Sequence, residues 1–263
     1  MIAYATGIYS ISTETNVSID TATGKTAQAE LSTERVYDIF SAIARKYELF
    51  NAVSSMGFYK RWLARMIKCA PLTAESDLLD IAGGTGDVSF TAARMKKPRH
   101  IQLTDLVPEM LEIAKEHERR GAGAGVAIDF DIVDAQDIPY ADKSYDVVTM
   151  AYGIRNMPDR EKALGEIHRV LKRGGSLVCL EFSTPTNRAM RLFYRFYLKY
   201  MIPFWGGLLT GDKKGFVYLR DSIEAFPNQV SFAAMLEAAG FEQVQWVNCS
   251  GGIAAIHTGI KPA

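Results

Sequence analysis

The sequence predicts an α/β fold: a doubly wound, mostly parallel seven-stranded sheet, preceded by a helical cap and interrupted late by a helical insertion. Three observations lead there. From Asp77 onward, short apolar runs alternate with segments of helical period, the pattern of a parallel sheet covered on both faces. The first of those runs ends in a Gly-rich turn, Gly83-Gly84-Thr85-Gly86, that opens a helix. The 263 residues, 48% apolar and 23% charged, suffice for one well-buried domain without disulfide or metal staples.

Residues 1 to about 33 are rich in Thr, Ser and Ala without sustained periodicity, and read as a flexible tail. A short strand around Ile2 to Ile11 is the weaker alternative. A single domain spans 34–263, with a cap over 34–75. Ser32 to Glu34 resembles a helix start, and Val36, Ile39, Phe40, Ile43 and Tyr47 follow at helical spacing. A second helix covers Tyr59 to Ala70, ended by Pro71; Arg61, Arg65 and Lys68 share one of its faces, solvated or set against an anionic surface. Strands are expected at Leu78–Ala82, His100–Thr104, Ala127–Ile132, Tyr145–Ala151, Ser176–Phe182, Gln243–Val247 and Ala254–Gly259. Helices are expected at Asp87–Met95, Pro108–Arg119, Arg160–Leu171 and Gln229–Ala239.

Several function classes drop out. Thirty basic against thirty acidic residues give zero net charge, which excludes a cationic protein built to coat nucleic acid. Cys69, Cys179 and Cys249 are odd in number and widely spaced, which argues for a reducing compartment and for thiols acting as small core hydrophobes. No His or Cys stands at zinc-ligand spacing, so no metal site is expected. The most apolar region, Met190 to Leu209, is broken by Arg191, Arg195 and Lys199 and is too short for a membrane span, which needs about 20 apolar residues. The N-terminus lacks the basic and apolar regions of a signal peptide.

The Gly-rich turn admits a ligand close to the backbone. A dinucleotide site wants G-x-G-x-x-G, and here Gly84 and Gly86 are followed by Ser89. Asp80 stands just before the glycines, where a carboxylate would oppose a pyrophosphate. S-adenosylmethionine has no phosphate and carries a sulfonium and an ammonium, so Asp80 favours a methyl donor; the plainer reading is a carboxylate capping the adjoining turn. Asp105 ends the second strand, near the offset at which an acid accepts from ribose hydroxyls. Asp134-Ala135 follows the third and offers a carboxylate and a backbone N–H to an adenine edge.

On these residues the sequence resembles class I S-adenosylmethionine-dependent methyltransferases, a Rossmann-like family. More narrowly it resembles the C-methyltransferases of menaquinone and ubiquinone biosynthesis. The carrying segments are Tyr47-Glu48-Leu49-Phe50-Asn51, Leu79 to Asp87, Tyr152-Gly153-Ile154-Arg155-Asn156, Arg169-Val170-Leu171-Lys172 with Gly174-Gly175, Leu180-Glu181-Phe182-Ser183, and Tyr218-Leu219 with Ser222-Ile223. The match runs over about residues 35 to 260. Glu48, Tyr59 and Arg173 depart from the usual Asp, His and Pro, and Ala151 replaces a common Ser; Tyr59 is the departure placed to touch substrate.

The resemblance implies methylation of a reduced, polyprenylated quinol, first demethylmenaquinol to menaquinol. A ubiquinone-pathway benzoquinol or another lipophilic phenol is the alternative, and a cofactor-sensing protein or a dehydrogenase stands behind these. The implied catalytic residues are Arg155, as a fixed cation beside a quinolate, Asn156 as the group orienting its oxygen, and Tyr47 on the cap. The implied cofactor contacts are Asp80, Gly84, Thr85, Gly86, Asp105, Asp134, Ala135 and the backbone of Ala151. Residues 186–228 form a substrate lid, in which Leu192, Phe193, Phe196, Tyr197 and Tyr200 line a cleft for an isoprenoid tail or belong to an ordinary buried helix. His257 reads as a structural histidine. The expected setting is cytoplasmic, at the inner face of a membrane, with peripheral membrane association and a homodimer both open.

Overall fold

The computed structural model describes residues 9–10, 32–44, 51–52, 55–202, 204 and 213–263. The elements are β1 (Tyr9–Ser10), α1 (Thr33–Ile43), α2 (Tyr59–Cys69), β2 (Asp77–Ile81), α3 (Asp87–Lys96), β3 (His100–Asp105), α4 (Pro108–Arg119), β4 (Ala127–Ile132) and β5 (Tyr145–Ala151). They continue with α5 (Arg160–Val170), β6 (Leu171–Phe182), α6 (Arg188–Phe196), α7 (Lys213–Ala225), α8 (Gln229–Ala238), β7 (Glu242–Cys249) and β8 (Ala254–Ile260). A π-turn, Tyr197–Met201, extends α6.

The sheet order is β1-β7-β8-β6-β5-β2-β3-β4. Pairs from β4 through β6 are parallel, and β8 runs antiparallel to both β6 and β7. All seven expected strands form. The two-residue β1 adds an antiparallel edge on β7, with Tyr9 opposite Trp246.

The central strands are apolar on both faces because helices cover both. Alternate residues divide between two clusters. Leu78, Val147 and Val178 meet Trp62, Met66, Ala92 and Phe216 on one side. Leu79, Val148 and Leu177 meet Ala163, Ile167, Phe232 and Leu236 on the other. Burying one such Leu or Phe side chain contributes about 1.5–3 kcal/mol. At edge strand β4, Asp129 and Asp131 face outward beside exposed Ile132, a charged rim that discourages further strand pairing.

Three elements differ from expectation. β6 begins at Leu171, opposite Tyr145, rather than at Ser176; the register then breaks, and Gly174, at φ +74°, and Gly175 carry the chain back into line through Lys261. α5 consequently stops at Val170. The region expected only as a lid contains α7, whose buried Phe216, Leu219 and Ile223 join the core. Among the described residues no helix is long and apolar enough to cross a membrane. The three cysteines are free thiols, two of them buried and Cys69 only partly so. His257 is buried between Phe232 and Trp246, with Nε2 3.0 Å from the Gln229 carbonyl, and burial lowers its pKa to about 4.

Candidate active site

The winding of the sheet reverses between β2 and β5. From β2 the chain steps to β3 and β4 on one side, and from β5 to β6 on the other. Loops leaving the carboxyl ends of the strands diverge at such a point and leave a crevice. Two cavities open there, one larger than the other. They share Ala82, directly after β2, and Tyr152, directly after β5. Both residues take left-handed backbone, φ 51° and 59°, a conformation costing about 1–3 kcal/mol for a residue with a Cβ. Gly153 lies against them, and a Cβ there would stand 2.8 Å from that of Ala82.

The larger cavity has apolar walls from Leu106, Val107, Met110, Val133 and Met157, with two carboxylates at its rim. Asp105 Oδ2 accepts the Gly84 N–H at 2.8 Å, and Oδ1 accepts that of Val107 at 2.9 Å. Burial pushes Asp105 up to about 6. Asp134 Oδ1 accepts from the backbone and the side-chain amide of Gln136, at 2.9 and 3.1 Å. Ala135 and Gly84 line the same space, and α1 closes it through Val36 and Phe40.

The smaller cavity takes Gly83, Thr85 and Asp87 from the Gly-rich turn, Ala151 from β5, Asn51, and Tyr59 from α2. The Thr85 hydroxyl is buried and has no hydrogen-bond partner among the described residues. A buried hydroxyl left so is expensive, and here it belongs to a cavity wall.

Asp80 lies beneath the turn and lines neither cavity. Its carboxylate is fully buried and accepts from the Ser89 N–H at 3.1 Å, the Ser89 hydroxyl at 2.6 Å and the Thr149 hydroxyl at 2.8 Å. The Ser that spoils the dinucleotide fingerprint is therefore the one that binds Asp80. Burial raises Asp80 to about 6 against the pull of those donors. Expected among the cofactor contacts, Asp80 in this structure anchors the loop through Ser89 and Thr149. Gly86, at φ +90°, starts α3, and a Cβ there would fall 2.4 Å from the Phe90 ring.

After β5 the residues Ile154–Asn156 form one 3-10 turn. Asn156 lines the larger cavity; its Nδ2 donates to the Tyr152 carbonyl at 3.0 Å and its Oδ1 accepts the Tyr218 hydroxyl at 3.0 Å. Arg155 points the other way. Buried at 2% exposure, it donates from Nη1 to Glu181 Oε1 at 2.8 Å and to the Tyr152 carbonyl at 2.5 Å. Burial raises the Glu181 pKa and Arg155 opposes that rise. The expected fixed cation is thus paired with a carboxylate, and its bond to the Tyr152 carbonyl ties it to the turn that carries Asn156. Asp159, four residues after Arg155, caps α5 through the Lys162 N–H.

Tyr47 and Glu48 lie outside the described residues. Arg173 is far from this chemistry, donating to the Ala263 carbonyl. Asp87, Asn51 and Tyr218 line or brace the site without having been singled out as functional, although each falls inside a quoted segment. The aromatic residues of α6 line neither cavity.

The cavities suit S-adenosylmethionine. Asp105 would meet its ribose hydroxyls, Asp134 and Ala135 the adenine among apolar walls, and Thr85 and Asp87 its amino-acid end.

Sequence comparison agrees with this chemistry. The profile of the ubiE/COQ5 methyltransferase family matches residues 28–261. A ubiquinone/menaquinone biosynthesis C-methyltransferase UbiE of Rickettsia akari is 40% identical over 230 residues, covering 86% of this chain and 92% of the relative. The Rhizobium meliloti protein of that name is 42% identical over 229 residues, covering 86% and 88%. Among solved structures, a SAM-dependent methyltransferase from Thermotoga maritima superimposes with a TM-score of 0.58 at 20% identity, over 86% of this chain and 99% of that one, which bears on the fold alone.

Proposed function

The chain belongs to the ubiE/COQ5 methyltransferase family, and from that premise we propose that it methylates a ring carbon of a polyprenylated quinol, demethylmenaquinol to menaquinol. The observation that carries the reading is the pair of cavities sharing Ala82 and Tyr152, one largely apolar with Asp105 and Asp134 in its wall, the other smaller and of mixed polar and apolar lining. When bound, S-adenosylmethionine supplies an electrophilic methyl group on a sulfonium sulfur.

The protein's task is to hold an electron-rich ring carbon against that methyl group. Removing a phenolic proton enriches the neighbouring carbon, but a phenol ordinarily ionises near ~10. Hydrogen bonding to the developing oxyanion lowers that barrier. Asn156 is equipped for it. One of its two amide N–H groups is committed to Tyr152 and its oxygen to Tyr218, which leaves the second N–H for the acceptor oxygen at the cavity wall. Arg155 and Glu181 fix that amide from beneath. Fixing the orientation supplies much of the acceleration of a bimolecular transfer. Tyr59, the departure expected to touch substrate, lines the smaller cavity beside Thr85 and Asp87.

The test is purified protein with S-adenosylmethionine and reduced demethylmenaquinone or ubiquinone-pathway quinol analogues, read by mass spectrometry. Mass gain by one methyl on carbon of the naphthoquinol supports the reading. Methylation of the benzoquinol alone would move the chain to the other substrate. Cofactor binding without methylation of any quinol or lipophilic phenol would make it a sensor rather than an enzyme of this pathway.

A further inference from the structure

We infer that the outer face of α6 is a docking surface for an anionic lipid bilayer; this rests on the quinol reading, because a polyprenylated acceptor resides in a bilayer. α6 and its π-turn bury only a narrow stripe, Tyr194, Leu198 and then Ile202. On the opposite side Leu192, Phe193, Phe196 and Tyr200 are 62%, 54%, 53% and 50% exposed. At 3.6 residues per turn the first three of these fall within an arc of about 100°, and the Phe196 and Tyr200 rings lie 5.1 Å apart, which extends the stripe along the helix. A contiguous aromatic surface of this kind is unusual on a protein that meets only water.

The charges beside it name the partner. Arg188, Arg195 and Lys199 run along one edge of the apolar arc, and no Asp or Glu occurs between Glu181 and Asp212. Lys199 also lies 5.3 Å from the centre of the Tyr200 ring. An isologous contact between two copies would set this acid-free basic segment against itself. An anionic headgroup layer satisfies the basic edge while the aromatic rings enter the acyl boundary, as in helices that lie in the membrane interface. α6 leaves the sheet at the carboxyl end of β6, the end at which both cavities open. Arg191 is turned aside and donates to the Pro185 carbonyl at 3.1 Å.

The experiment is co-sedimentation of the full chain with vesicles of phosphatidylcholine, with and without phosphatidylglycerol. It compares the wild type with Phe193→Ser/Phe196→Ser and with Arg188→Glu/Arg195→Glu/Lys199→Glu. The wild type is expected to partition onto the anionic vesicles in a salt-sensitive manner. The serine variant should lose binding at least tenfold, and the charge reversal should abolish the preference for phosphatidylglycerol, at about fivefold per basic residue. Turnover of a short-tailed, water-soluble quinol analogue should be unchanged in both variants, which separates this inference from the quinol reading itself. Wild-type protein that ignores anionic vesicles, or variants that bind as well as it does, would overturn the assignment. So would a wild-type dimer in sedimentation analysis that the serine substitutions dissociate, since the face would then belong to a second copy.

Discussion

Arg155 and Glu181 form a buried ion pair, 2.8 Å between Nη1 and Oε1, that joins the turn after β5 to the end of β6. Desolvation of two charges leaves such a pair with little net stabilisation, yet removing one partner strands the other and costs about 3–5 kcal/mol. Arg155→Met and Glu181→Gln are each expected to lose that much in urea unfolding, and the double substitution less than their sum. Strict additivity would show that the two side chains do not depend on one another. Under the folded conditions that remain, Arg155→Met should lose turnover while retaining cofactor affinity, because its contacts reach the Asn156 turn and not the larger cavity.

Tyr218 reaches across from α7 to hold Asn156 by its carbonyl oxygen. Removing one hydrogen-bond donor of this kind is worth about 0.5–1.5 kcal/mol. Tyr218→Phe should therefore lower kcat by roughly 3- to 10-fold, with cofactor affinity and KM for the quinol nearly constant. A change confined to KM would assign Tyr218 to substrate binding instead of to the orientation of Asn156.

The raised pKa of Asp80 has a definite sign in stability. Its folded value, about 6, lies above the ordinary 3.8, so the folded state holds the proton more tightly than the unfolded one. That contribution is complete below the unfolded value and is lost as pH rises through about 6, to a total of about 3 kcal/mol. Asp80→Asn lacks the titration. Measured against wild type, the variant should gain relative stability as pH rises from about 3.8 to about 6 and change little above that. A difference that stays flat across that window would mean Asp80 remains charged in the fold.

Gly86 and Gly121 share a left-handed backbone, φ +90° and +89°, but only Gly86 has a neighbour in the way. An alanine at Gly121 meets nothing within 4 Å, so it bears the backbone cost alone, about 1–2 kcal/mol. At Gly86 the new methyl must also displace the Phe90 ring, adding typically about 1–3 kcal/mol of overpacking. Thermal unfolding of the two variants should rank Gly86→Ala the less stable, and only that variant should weaken cofactor binding. Equal losses would show that Phe90 yields freely.

What could be read in advance was local. The Gly-rich turn and the strand ends carry Gly84, Thr85, Asp105, Asp134, Ala135 and Ala151 to the cavities because each follows directly from a strand whose period was visible. Arg155 shows the limit. Its nearest acids in sequence are Asp159 and Glu161, whereas the parallel register of β5 on β6, with Ala151 opposite Leu180, brings Glu181 to it from 26 residues away. Nothing in the periodicity of either strand encodes that register. Tyr218 was hidden for a related reason: α7 was folded into an undivided lid segment, so its contact with Asn156 had no element to sit on. For Asp80 the residue type was right for two roles, and only its burial against Ser89 and Thr149 separates them.

Asp105 gives the sharpest test of the cofactor assignment. Each of its oxygens already accepts one backbone N–H, from Gly84 or Val107. The Leu106 N–H also favours the charged carboxylate, but a carboxylate oxygen has a second acceptor position and Asp105 lines the larger cavity, so a ribose hydroxyl can be received there without displacing the loop. Hydrogen bonds to a charged acceptor are worth about 1.5–3 kcal/mol each. Asp105→Asn replaces one acceptor by an NH2 group that faces a backbone donor, and should weaken S-adenosylmethionine binding by roughly 10- to 100-fold in calorimetric titration. The wild type carries a second signature. With its pKa raised to about 6 by burial, Asp105 takes up a proton as pH falls through that value and loses acceptor capacity, so affinity should decline below about pH 6. The Asn variant, having nothing to titrate, should lack that decline. Wild-type affinity that is unchanged down to about pH 5 would remove Asp105 from the ribose contact.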